Sequence, residues 1–229
     1  MKKHMIVAGI FYLLAIPGIF IIAQSGDFFP SGLIPTGLIV ISIPLGMALG
    51  PRSGLHSLIL KRLSGDRITG LLPGIFHALI CGLSIGLLWV IPTHIFAVLS
   101  HLQTPRHPLW YMWSMGAVVE EMIFRWGAMS VALFLLWKCF GRKSERPGAN
   151  FYWTSLILAS VLSTSAHVFY IWSIDASVIS PPGIFILGVN MIAGIVFGWT
   201  FWKRGFEFTM ITHGVAHFFI VSLRILSHF

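Results

Sequence analysis

The segment "GAVVEEMIFRW" (residues 116–126) carries two glutamates and an arginine inside an otherwise apolar run. On a helix, Glu121 and Arg125 are four residues apart and share a face, so they can form an ion pair. Glu120 points about 100° away at 3.6 residues per turn. That leaves it free to face elsewhere as a candidate general base. A second group lies in "TMITHGVAHFF", where His213 and His217 are also four apart, beside the small residues Gly214 and Ala216. Such a pair can ligate a metal, donate two hydrogen bonds to one oxygen, or satisfy neighbouring helices. His167 stands in "LSTSAHVFY", next to Ser163, Thr164 and Ser165. A buried ion-pair network that only locks helices together is the plain reading of any one of these groups. As a set, Glu and His side chains can activate water and stabilise an oxyanion. They could equally hold a divalent ion whose bound water is the nucleophile. No GxSxG, paired intramembrane aspartates or HExxH occurs, so the serine, aspartyl and zincin protease types lack their motifs.

The elements that must position these residues are membrane helices. Of the 229 residues, 56% are hydrophobic and 10% are charged, which leaves too little polar surface for a soluble domain. Apolar stretches recur at about 18 residues or more, the length needed to cross roughly 30 Å of hydrocarbon. Seven spans are predicted, near residues 5–23, 32–50, 71–92, 109–137, 151–172, 183–202 and 206–226. The fold class expected is all-α, a polytopic transmembrane bundle forming one membrane domain over residues 1–229, with no internal repeat. The first apolar segment is read as a retained span, because it lacks a small-residue cleavage site after Ala23.

The N-terminus and the connectors 51–70, 138–150 and 203–205 hold 12 of the 15 Lys and Arg residues. The alternate connectors 24–31, 93–108 and 173–182 hold only Arg106, while Arg125 and Arg224 lie within spans. This alternation predicts a cytoplasmic N-terminus and an outward C-terminus. It also explains the net charge of +8 without a nucleic-acid partner. The short connection "KRGFE" predicts a hairpin between the last two spans, with a merged or re-entrant pair as the alternative. Gly82-xxx-Gly86 and Gly194-xxx-Gly198 mark places where helices can approach closely. Cys81 and Cys139 are too few and too far apart in type of environment to suggest a disulfide framework. His77 is the only other histidine at depth, and packing is its expected role. His4, His56, His94, His101, His107 and His228 fall in connectors, at termini, or singly within a span.

Three motifs in order on successive helices resemble the CAAX-protease and bacteriocin-processing family, which is related to the Ras-converting enzyme. "EEMIFR" fits that family's EExxxR, "STSAH" ending at His167 stands at its FxxxH motif, and "HGVAH" from His213 stands at its HxxxN motif. The lead-in "AGIVFGWTFWKRGFEFTMITH" is similar to the family's glycine-rich span, basic turn and final helix. The resemblance covers about residues 113–220. It implies a glutamic-type intramembrane endopeptidase in which Glu120 activates water with help from His167. Glu121 and Arg125 would hold the site together, and His213 would help form the oxyanion site. Ser163 replaces the usual Phe, and His217 replaces the usual Asn. A neutral histidine at 217 can still donate one hydrogen bond, and it also makes a metal more credible.

The function expected is therefore hydrolysis of a peptide bond near or within the membrane, close to the C-terminus of a lipidated or hydrophobic peptide or protein. The alternatives are a non-catalytic immunity (bacteriocin self-immunity) or scaffold protein of the same family, and a transporter, against which the lack of inverted repeats counts. No cofactor is expected, with a divalent metal such as zinc on Glu120, His167, His213 and His217 as the alternative. The partners expected are membrane lipids and the substrate, in a prokaryotic cell membrane.

Overall fold

The computed structural model describes residues 2–25, 33–95, 109–141, 145–173 and 177–226. Most of the expected connectors 24–31 and 93–108, with Arg106, His101 and His107, lie outside the described residues, as does His228. All described secondary structure is helical. The helices are α1 (Lys2–Ser25), α2 (Leu33–Leu49), a short α3 (Leu58–Leu63), α4 (Leu71–Ile95), α5 (Leu109–Phe140), α6 (Ala149–Ser173), α7 (Pro181–Arg204) and α8 (Phe206–Leu226). Every segment read as a span is thus a helix.

Four of them, at Lys3–Phe20, Leu71–Val90, Leu109–Phe140 and Pro181–Arg204, are long and apolar enough to cross a membrane. Thr36–Leu49 is apolar but shorter. In α6, hydroxyl-rich positions dilute the apolar character, and several hydroxyls turn back onto their own helix. Ser160 donates to the Leu156 carbonyl at 2.6 Å and Ser165 to that of Val161 at 2.8 Å, the usual way such groups are satisfied in an apolar setting. The outer faces carry Leu13, Phe20, Leu72, Ile80 and Trp172, all more than half exposed. Exposed apolar surface on this scale fits lipid rather than water.

The core forms where i, i+4 faces meet. Val7, Phe11 and Ala15 of α1 and Ile39, Ile43 and Met47 of α2 pack around Trp126 of α5, which is fully buried. The Trp126 indole donates to the Ile43 carbonyl at 3.2 Å and meets Phe11 edge-on. Both small-residue motifs sit at close helix contacts. A Cβ on Gly82 or Gly86 of α4 would run into Val215 or Phe219 of α8, and one on Gly194 or Gly198 of α7 into Ser160 or Leu156 of α6. The last two spans form the expected hairpin. Gly205, at φ 112°, turns between them in a conformation that favours glycine. Its amide donates to the Phe201 carbonyl at 3.0 Å. His77 packs as expected: its Nε2 lies 3.1 Å from the Thr200 hydroxyl and its ring rests on Trp199.

One feature of α5 differs from expectation. Residues Trp113–Glu120 and Met122–Met129 are wound as π-helix. Its i→i+5 turns hold more residues than an α-helical turn, so the rotation from Glu120 to Glu121 is less than the 100° expected.

Candidate active site

The wide turns of α5 carry Glu120, Glu121 and Arg125 into the bundle centre. Glu121 is completely buried and Arg125 nearly so. Arg125 Nη1 lies 3.2 Å from Glu121 Oε1, the pairing expected from their spacing. His213 of α8 brings its Nδ1 to 2.7 Å from the same oxygen. One carboxylate therefore joins α5 to α8, and the remaining oxygen of Glu121 has no hydrogen-bond partner among the described residues. Glu120, the neighbouring residue, makes no ion pair or hydrogen bond among the described residues and lines a cavity of about 140 Å³.

The same cavity is lined by His167, His213 and His217, as well as Arg125. His167 is held by Nδ1, which lies 3.0 Å from the Ser163 carbonyl. A carbonyl only accepts, so Nδ1 carries the hydrogen and the neutral ring keeps its lone pair on Nε2. His213 is in a column of stacked groups. Its ring lies 4.4 Å from that of Phe197 and 4.6 Å from that of His217, and the Arg125 guanidinium sits 5.5 Å from the Phe197 ring centre. Gly116 makes room for this column. A Cβ there would collide with His217 Nε2 and come within 3.1 Å of His213 Nε2. Gly214 is needed for the same close approach, since a Cβ on it would enter the Trp113 ring.

The cavity also exposes residues that the motifs do not contain. Asn190 of α7 lines it and donates from Nδ2 to the Ile186 carbonyl at 2.8 Å. Asn190 is a polar residue at membrane depth, so the rule that singled out the histidines would have found it too. Phe197 gave no such signal, because an apolar residue in an apolar helix looks like any other. From Arg125, Phe197 and His213 at mid-helix, the lining extends to Trp89, Tyr111 and Val189. That direction leads away from the end at which the basic connectors meet.

Among the described residues no three His, Cys, Asp or Glu side chains form a group that could hold a metal ion. The His167 and His213 Nδ1 atoms are already committed to Ser163 and Glu121. No step below passes through a metal.

A family model described as Type II CAAX prenyl endopeptidase Rce1-like matches residues 103–219, about half the chain. The chain belongs to the Rce1-like family. The match begins ten residues before the resemblance seen in the motifs and ends one residue short of it. No curated protein and no solved structure matches the chain. Membership makes this Rce1-like protein a peptidase of the CAAX-protease type at the level of family. Together with the apolar helices it makes the protein an integral membrane protein.

Proposed function

We propose that this Rce1-like protein is an intramembrane endopeptidase that uses a water activated by Glu120 and His167. One observation supports this reading above the others. Glu120, His167, His213 and His217 line one cavity, while the adjacent Glu121 is withdrawn into an ion pair with Arg125. Two neighbouring carboxylates thereby have two environments, the arrangement that separates a base from a structural anchor.

In this reading Glu120 takes a proton from water as the water oxygen adds to the scissile carbonyl carbon. His167 accepts the second water hydrogen at Nε2 and orients the nucleophile. The carbonyl oxygen becomes an oxyanion facing His213 and His217. His213 gives its Nδ1–H to Glu121, which stays paired with Arg125. Glu120 returns the proton to the leaving nitrogen, the C–N bond breaks, and an acid and an amine leave. Proton transfer of this kind contributes about 10²–10⁴-fold, and each oxyanion donor about 10²–10³-fold.

The reading includes seven spans with a cytoplasmic N-terminus, and a hydrophobic or lipidated peptide as substrate. With that orientation the cavity leads toward the non-cytoplasmic leaflet, so the substrate segment reaches it from within the membrane on that side. The test is hydrolysis of an internally quenched hydrophobic peptide by the full chain in proteoliposomes. Wild type should cleave it, while Glu120→Gln and His167→Ala should not. Undiminished cleavage by Glu120→Gln overturns the mechanism.

A further inference from the structure

A second pocket, of about 220 Å³, lies at the opposite end of the bundle from the mouth of the catalytic cavity. Lys61, Arg67, Lys203 and Arg204 line it together with His56 and Thr69, and no carboxylate does. These residues come from α3 with its two flanks and from the end of α7, far apart in sequence. Contacts hold the two together: the Phe206 amide donates to the His56 carbonyl at 3.0 Å, and the His56 ring lies against Gly205.

A cluster of basic residues at one end is what any membrane bundle shows. Three observations make this one a site. First, its cations are not neutralised from within. Asp66, next to Arg67 in sequence, does not line the pocket, and Glu207, three residues after Arg204, is occupied elsewhere: it accepts from the Ser57 hydroxyl and from the amides of Leu58 at 2.7 Å and Ile59 at 3.0 Å, capping α3. None of the four cations has an ion-pair partner within 4 Å among the described residues. Second, the Nε of Arg204 is buried and has no hydrogen-bond partner among the described residues. A buried guanidinium N–H without an acceptor is costly unless a ligand supplies one. Third, Gly70, which lines the pocket, is the residue from which α4 departs. The positive end of that helix dipole adjoins the same space, and Gly70 has no side chain to cap it.

Four cations, a buried donor and a helix start converging on a concave polar space suit a phosphate. We infer that this pocket binds a phosphate-bearing anion, supplied either by the headgroup of an anionic phospholipid or by a soluble phosphate. The pocket lies where the basic connectors place the membrane surface, within reach of both sources. Its location away from Glu120 makes the inference independent of the proposed catalytic chemistry.

The test uses the full chain purified in detergent and titrated separately with inorganic phosphate, with vesicles of phosphatidylcholine, and with phosphatidylcholine vesicles containing phosphatidylglycerol. Saturable binding to the phosphatidylglycerol vesicles alone, weakened at least tenfold in Arg67→Gln/Lys203→Gln, identifies a lipid headgroup site. Saturable binding of inorganic phosphate with the same loss in the variant identifies a soluble ligand. Neither residue belongs to the catalytic cavity, so peptide cleavage and melting temperature should stay at wild-type values in the variant. The inference is overturned by an absence of saturable binding to either anionic probe, or by binding that the double substitution leaves unchanged.

Discussion

Nδ1 of His213 stands 2.7 Å from Oε1 of Glu121, across 92 positions of sequence. This contact joins the two halves of the candidate site, because Glu121 already holds Arg125 on its own helix. It also determines which nitrogen of His213 is left for the cavity.

Because Glu121 is buried between a guanidinium and an imidazole, its loss should be structural first. Glu121→Ala leaves Arg125 buried without a counter-charge, a change that costs about 3–5 kcal/mol. Thermal unfolding of the purified protein should show a large drop, with activity lost alongside stability.

Glu120 should behave oppositely. Glu120→Gln removes a cavity carboxylate with no bonded partner among the described residues, so the melting temperature should stay near wild type. Peptide hydrolysis should fall by at least about 100-fold. If a cellular phenotype survives this substitution intact, the protein acts as a scaffold or immunity factor and not through hydrolysis.

His217 occupies the position at which the motif carries Asn. If its role is hydrogen-bond donation, His217→Asn should retain activity within about tenfold of wild type, and His217→Ala should lose about 100-fold, the usual effect of removing one oxyanion donor. Steady-state cleavage rates of the two variants compare directly.

Gly116→Ala adds one methyl where His217 Nε2 already sits. Overpacking of this kind costs about 1–3 kcal/mol, and here it displaces the histidine column. Cleavage should fall far more than the melting temperature does.

His56 gives a pH signature outside the membrane. Burial, and then the Lys61 charge, lower its pKa from the ordinary 6.5, while hydrogen bonds to the Arg204 and Gly54 carbonyls oppose them less strongly. The unfolded chain therefore binds a proton that the folded one resists. Stability is unaffected above pH 6.5 and falls as pH drops below it. In phosphate-free buffer, the fall in melting temperature from pH 7.5 to 5.5 should be shallower in His56→Gln than in wild type.

The helices were legible because apolar length and basic connectors are one-dimensional signals: a segment long enough to cross lipid shows as a run, and its flanking charges alternate. Glu121 and Arg125 were legible as a pair because four residues on a helix bring side chains together without tertiary help. The π-winding of α5 was not, since no residue type announces it. Phe197 and Gly116 were missed for a related reason. Each matters through what it touches, a guanidinium and an imidazole in one case and two imidazole nitrogens in the other.

By itself, then, the sequence determined that the chain is an all-helical membrane protein, which residues are too polar to lie idle in lipid, and which family pattern they follow. Composition and spacing carry those properties, and both are local. Only the tertiary structure decided that Glu120 faces a shared cavity while Glu121 is sealed into an ion pair, and that four separate cations meet in one pocket. Those outcomes depend on helix rotation and close approach, which are set by packing between segments far apart in the chain.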